Sequence, residues 1–220
     1  MKNKILSTIK IKMRKWGLRS FLVHNAKSGS KILDIGCGNQ GSVFLNQILK
    51  NPICYGLDVQ DYNQTEKSIS LYKDYRIVEP SKFSDEIKKF KVNFDVIIIN
   101  HNIEHCNYPM AVVNNAINAL NVNGFIFIAT PSIQSEKFPS RKGTLNFYDD
   151  ITHRKPINLL NLFEINSEKM KLIYFTESYK PKFWTFIGFF VEPFSKLMRR
   201  KFIGTWDYWG FESILWMQKK

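Results

Sequence analysis

The amino-acid sequence predicts an α/β fold built on a mostly parallel sheet, and three observations carry that expectation. Short apolar runs alternate with helical stretches along the chain, the pattern of βαβ units. One run, Phe94–Asn100, is a continuous Val/Ile segment of the kind found where a sheet is covered on both faces. Another, Lys31–Ile35, feeds directly into a glycine-rich turn at Gly36–Gly41 and then into a helical stretch.

In chain order, residues 4–23 read as a basic amphipathic helix, with Ile5, Ile9, Met13 and Trp16 at helical spacing. Lys31–Ile35 is the first strand, Ser42–Lys50 a helix, and Ile53–Leu57 the second strand, ending at Asp58. Tyr75–Val78 is expected as the third strand and Phe94–Asn100 as the fourth. A helix over Tyr108–Leu120 and a turn at Asn123–Gly124 lead to a fifth strand, Phe125–Ala129, stopped by Pro131. Ile157–Asn166 reads as a helix, and Lys171–Thr176 and Ser213–Met217 as the last two strands. Between them lies Glu177–Glu212, aromatic and basic; a segment that long in a compact domain is functional or partly structured. The expected organisation is a basic helical segment at 1–29 and one domain at 30–220, with an insertion at about 178–211.

A chain of 220 residues suits a single domain with a full core, and 44% hydrophobic residues excludes global disorder. The net charge of +13 is concentrated at two places: residues 1–31 hold nine basic residues and no acid, and residues 178–201 hold six basic residues and only Glu192. Such surfaces attract nucleic acid, anionic lipid or a phosphorylated substrate; a solvated basic surface is the plainer reading. The three cysteines, with no CxxC spacing, argue against a disulfide framework or a zinc site and for a reducing compartment. The N-terminus lacks the continuous apolar core of a signal peptide, and Phe183–Val191 is too short to cross a bilayer. A cytoplasmic protein, with peripheral contact at the inner membrane surface, is the expectation.

The glycine turn carries most of the functional reading. Gly36, Gly38 and Gly41 satisfy G-x-G-x-x-G, which by itself suits a dinucleotide, and Asp58 ends the next strand where it can accept hydrogen bonds from a ribose diol. Asp34, two residues before Gly36, separates the ligands. A carboxylate there repels a pyrophosphate and favours a cation, so S-adenosylmethionine (SAM), with its sulfonium and amino group, is preferred to NAD.

Leu33-Asp-Ile-Gly-Cys-Gly38 resembles motif I of the class I SAM-dependent methyltransferases. Phe94–His105, with its Glu104-His105 pair, resembles their fourth strand and following loop, and Leu120–Pro131 their fifth-strand segment. Asp150-Ile-Thr-His153 resembles the Asp-x-Thr-His element of the type 11 and type 23 methyltransferase families. The likeness covers residues 30–176 in the right order. It implies a Rossmann-like, doubly wound, seven-stranded sheet with SAM as cofactor. It places Asp34, Gly36, Cys37 and Gly38 at the methionine portion, Asp58 at the ribose, Val59 against the adenine, and backbone near Asn100 and His101 at the amino group. One departure is that the position two after Gly38, commonly glycine, is Gln40, with Gly41 following; a turn one residue longer is the expected consequence.

Methyl transfer needs alignment of acceptor and methyl group, and a hydroxyl acceptor also needs a base. His153 is the first candidate, as base or acceptor-orienting residue, with Asp150 orienting its ring; a structural Thr-His turn is the alternative. His105 is a further candidate, while Glu104 at a helix start has a local reason in the helix dipole. Asp149, Asp150 and His153 are weighed as metal ligands and set aside, because adjacent carboxylates diverge; no metal is expected. The insertion reads either as a cap on the acceptor-side core or as a shallow contact with anionic membrane. The leading function is O-methylation of a sugar or lipid-linked glycan, as in surface polysaccharide biosynthesis, with quinone-type and other small-molecule acceptors close behind. RNA methylation and non-catalytic SAM binding are the rivals. Against amino-group methylation of bases, Asn100–Ile103 lacks the Asn/Asp-Pro-Pro-aromatic element.

Overall fold

The computed structural model describes residues 14–220. Half of the expected basic helix at 4–23 lies outside the described residues. Its described end is a turn at Arg14–Trp16, followed by Gly17 and a helix, α1, over Leu18–Asn25. Trp16 does not continue the helix, because its ring stacks on Tyr174 at 4.2 Å and edges onto Trp216.

Seven strands form one sheet: β1 Lys31–Ile35, β2 Ile53–Asp58, β3 Tyr72–Ile77, β4 Phe94–Asn100, β5 Leu120–Pro131, β6 Met170–Thr176 and β7 Glu212–Lys219. Their spatial order is β3-β2-β1-β4-β5-β7-β6. β7 runs antiparallel to both neighbours and every other pairing is parallel. Helices α2 Gly41–Ile48, α3 Glu66–Ser70, α4 Phe83–Lys88, α5 Pro109–Ala119 and α6 Leu159–Ile165 connect the strands.

β4 shows why the sheet is covered on both sides. Ile97 and Ile99 pack with Ile87 of α4, Val113 and Ile117 of α5 and Leu162 of α6. The alternate residues Val96 and Ile98 pack with Phe21 and Leu22 of α1 and Leu45 of α2 on the opposite face. The period of two thus splits one apolar run between two cores.

Three elements differ from the expected ones. β3 begins at Tyr72, three residues early, because an edge strand tolerates the polar Lys73, Asp74 and Arg76. β5 begins at Leu120, and Asn123–Gly124 is a bulge within it: pairing jumps from Phe94↔Leu120 to Val96↔Phe125, with Asn123 at φ 61°. Residues 178–211 are mostly helical, with α7 at Lys182–Leu197 and α8 at Thr205–Trp209. The two helices touch at glycines; a Cβ on Gly188 would lie 2.1 Å from the Gly204 carbonyl oxygen.

The parallel strands end together, so Ile35, Asp58 and Asn100 deliver their following loops to one edge. Strand order reverses between β1 and β4, and ligands of such sheets bind outside the carboxyl ends at that point.

Candidate active site

A cavity of about 1110 Å³ opens at this edge. Gly36, Gly38 and Asn39 form one wall, Asp58, Val59 and Tyr62 a second, and His101, Asn102, His105 and Asp150–Arg154 a third.

The glycine turn is shaped by several close approaches. Gly36 has φ 74°, and a Cβ there would run into the side chain of Asn102 at 2.3–2.6 Å. Gly38, at φ 49°, would meet nothing nearer than the Gly36 carbonyl oxygen at 3.9 Å. Gly41 is needed because a Cβ would stand 2.5 Å from Asp34 Oδ2 and 3.0 Å from the Tyr72 hydroxyl. Gln40 takes the left-handed conformation, φ 59°, that a glycine would hold more easily, and α2 starts at the next residue. The lengthened turn is absorbed in this way.

The carboxylates at the turn suit a cationic nucleoside. Asp34 is buried beneath the loop; burial, reinforced by the charge of Asp58, pushes its pKa up to about 7. Asp58 accepts from the backbone N–H of Gly38 and of Val59, each at 2.7 Å, and has acceptor capacity left on a carboxylate that lines the cavity. A positive ligand would relieve Asp34, whereas a diphosphate would add to the repulsion.

Some expected contacts are placed differently. Asp34 sits behind the turn and does not line the cavity. Cys37 is also buried, in the apolar layer against α2, where burial raises its thiol pKa and removes it from ligand contact. Asn100 lines a second cavity, of about 400 Å³, with Arg14, Leu18, Phe44, Phe127, Trp184 and Glu212. His101 lines the first cavity, at φ 51°, and its ring is clasped by two carboxylates, with Nε2 3.0 Å from Glu212 and Nδ1 3.3 Å from Glu104. Burial alone would lower its pKa, but those acids raise it to about 10, so the ring is an imidazolium held for structure.

The catalytic candidates do converge. His153 and His105 lie side by side, their rings tilted by 52° with centroids 4.8 Å apart, and both line the first cavity. Asp150, however, does not hold His153 in the expected way. Its nearest contact to that ring is 3.9 Å, and its carboxylate is engaged by the Thr152 backbone N–H and hydroxyl. These bonds keep its pKa low despite burial. The ring of His153 is oriented by Phe147, whose carbonyl accepts from Nδ1 at 2.6 Å. Asp149 is withdrawn altogether, accepting from the backbone N–H groups of Arg141, Leu145 and Asn146.

Sequence reasoning did not single out Asn102, Tyr62, Arg154, Arg14 or Trp184. Asn102 and Tyr62 follow strands β4 and β2 and were findable from their place after a strand end. Arg14 and Trp184 come from opposite ends of the chain, and no local pattern joins them.

Residues 11–168 match the model of a family described as a methyltransferase domain. The chain belongs to that family. It is a SAM-dependent methyltransferase of the class I fold, and SAM is its cofactor. Among curated proteins, a ubiquinone biosynthesis O-methyltransferase of Pelagibacter ubique (strain HTCC1062) is 32% identical over 111 residues. That match covers 46% of this chain and 41% of the relative, so the chain spans well under half of the relative's length. Two solved structures show the same fold. One is the plantazolicin methyltransferase BamL, crystallised with a triazolic desmethylPZN analog and SAH. It is 19% identical at TM-score 0.58, covering 99% of this chain and 90% of that one. The other is a SAM-dependent methyltransferase from Archaeoglobus fulgidus, 19% identical at TM-score 0.53, covering 97% and 99%.

In this methyltransferase the cofactor supplies an activated methyl group, and the protein's own residues bind, orient and exclude water. Gly36 and Gly38 would permit close backbone approach of the cofactor, Asp58 would offer a carboxylate to the ribose hydroxyls, and Val59 would offer an apolar wall to the adenine. His153 has Nδ1 committed to a carbonyl, so its Nε2 carries the lone pair a base requires.

Proposed function

We propose that this methyltransferase O-methylates a hydroxyl on a lipid-borne acceptor at a membrane surface. One observation carries the reading: α7 has two working faces. Its inner face gives Trp184 to the second cavity, beside Asn100 at the end of β4 and Phe127 within β5. Its outer face exposes Phe186, Phe190, Phe194 and Leu197 at helical spacing, between 58% and 80% exposed. Phe183 and Phe189 widen the strip, and Lys180, Lys182, Lys196, Arg199 and Arg200 flank it. Aromatic groups bordered by cations suit the headgroup region of an anionic bilayer, where each basic residue contributes about 1 kcal/mol. Sixteen residues span about 24 Å, short of a bilayer core, and among the described residues no helix is long and apolar enough to cross a membrane.

The ubiquinone-type relative and the aromatic lining of the second cavity favour a prenylated phenol; a sugar on a lipid-linked glycan offers the same combination of hydroxyl and lipid. The test is turnover of labelled SAM with a prenylated catechol, a lipid-linked glycan and RNA, each with and without anionic vesicles. Methylation of a lipid-borne acceptor, stimulated by vesicles, is expected. Methylation confined to RNA or to water-soluble amines would refute the reading.

A further inference from the structure

We infer that Glu104, His105 and His153 form a binding site for a borderline divalent ion such as Zn²⁺ or Mn²⁺. One ligand atom from each residue lies within 4.8 Å of the others. Two imidazoles and one carboxylate, with positions left open for other ligands, are a familiar donor set for such ions. In tetrahedral coordination, ligand atoms about 2.0–2.2 Å from one ion stand about 3.3–3.6 Å apart. The site therefore closes by drawing the three side chains together by about an ångström.

Independent features point to an occupant. Glu104 is 1% exposed, and its Oε2 has no hydrogen-bond partner among the described residues. Its Oε1 makes only the 3.3 Å approach to His101 Nδ1, outside hydrogen-bond geometry. The charged ring of His101 thus meets one oxygen of this carboxylate, and Oε2 is left as buried acceptor capacity that a second cation would use.

The two histidines are also set in the tautomer that ligates. The Phe147 carbonyl can only accept, so His153 Nδ1 carries the proton and Nε2 is free. Thr152 Oγ1 lies 2.6 Å from Asp150 Oδ1 and 2.9 Å from His105 Nδ1. The carboxylate can only accept, so the hydroxyl donates its one proton to Asp150 and accepts from His105 Nδ1–H. His105 Nε2 is thereby free as well. An outer shell of carbonyl, hydroxyl and carboxylate that fixes Nδ1–H is how proteins orient metal-binding imidazoles. Arg154 holds the frame, its backbone N–H donating to the Glu104 carbonyl and its Nε to that of His105, both at 2.9 Å.

The site opens on the cofactor cavity, where an ion would meet an acceptor hydroxyl as a Lewis acid and lower its pKa. With its lone pair on the ion, His153 Nε2 would no longer serve as the base, and the ion would activate the hydroxyl in its place; that use rests on the O-methylation reading, the binding itself does not.

The experiment is titration of chelator-treated protein with Mn²⁺, followed by electron paramagnetic resonance, and with Zn²⁺, followed by calorimetry. About one ion per chain is expected. His105→Ala and His153→Ala should weaken binding by well over tenfold, and Thr152→Val, acting through His105, by about tenfold. SAM affinity measured on each variant reports that it is folded, and Glu104→Gln adds a further arm if it folds. Absence of stoichiometric binding up to millimolar ion would overturn the inference, as would binding unchanged in the His105→Ala, His153→Ala double variant. Methylation without ion binding would sink this inference alone. Ion binding without methylation of any hydroxyl acceptor would leave the site standing and remove the proposed function.

Discussion

Gln40 occupies a left-handed position at the heart of the cofactor loop, where side chains cost about 1–2 kcal/mol relative to glycine. Gln40→Gly is therefore expected to raise stability by up to about 1 kcal/mol, read as a rise in Tm of about 2–4 °C, with SAM affinity unchanged or improved. A fall in Tm would show that the Gln40 side chain makes an interaction stronger than the strain. Asp34 sets a second expectation. With its carboxyl titrating near pH 7, cofactor binding should release a proton, so SAM affinity should fall as the medium is acidified below pH 7. The other ionisable groups beside it, Asp58, Cys37, Tyr72 and Cys54, have pKa values raised by burial. Calorimetry of Asp34→Asn should show weaker binding and a flat profile from pH 6 to 8; a slope equal to that of the parent would assign the proton elsewhere. That a carboxylate stands just before the glycines was legible in the sequence. Its place behind the loop was not, because that depends on the approach of Gly41 and Tyr72 from other elements.

At the scale of elements, β4 and β1 were legible to the residue because each is a short, mostly apolar run, broken only by Asp95 or Asp34 and bounded by polar residues or glycine. β3 was short by half because an edge strand carries polar residues that dilute the pattern. The insertion shows the limit most clearly. Its aromatic residues could equally have filled a core, and only the fold tells which side of α7 faces inward. That orientation is fixed by Gly188 against Gly204 and by buried Arg141, whose guanidinium binds Glu192 at 2.6 and 3.0 Å and reaches Ser195. Replacing Phe190 and Phe194 with serine should abolish pelleting with anionic vesicles while moving stability by less than about 0.5 kcal/mol per site. Retained pelleting would remove α7 from the membrane reading, whereas lost stability would show that the two rings are packed.

For the molecule as a whole, the cofactor-free protein should lose stability as pH rises from about 4 to 7. Asp34 has a higher pKa folded than unfolded, so the native state binds the extra proton in that window and is favoured at its acidic end. Saturating SAM should flatten or reverse the trend; thermal melts across pH with and without it are the measurement. A cofactor-free profile that rises steadily from pH 4 to 7 would mean that other carboxylates dominate. Motif order made the fold and the cofactor legible, because both depend on segments contiguous in sequence. The second cavity was not legible, because its walls join Arg14 near one end of the chain to Trp184 and Glu212 near the other.

The seating of α7 has one further implication. Were α7 to rest its outer strip on lipid as proposed, with its opposite edge bordering the second cavity, substrate capture would become diffusion within a plane. Turnover would then track the surface density of acceptor in the bilayer and not its bulk amount. Diluting the acceptor with inert lipid should slow the enzyme even when every acceptor molecule remains in the tube.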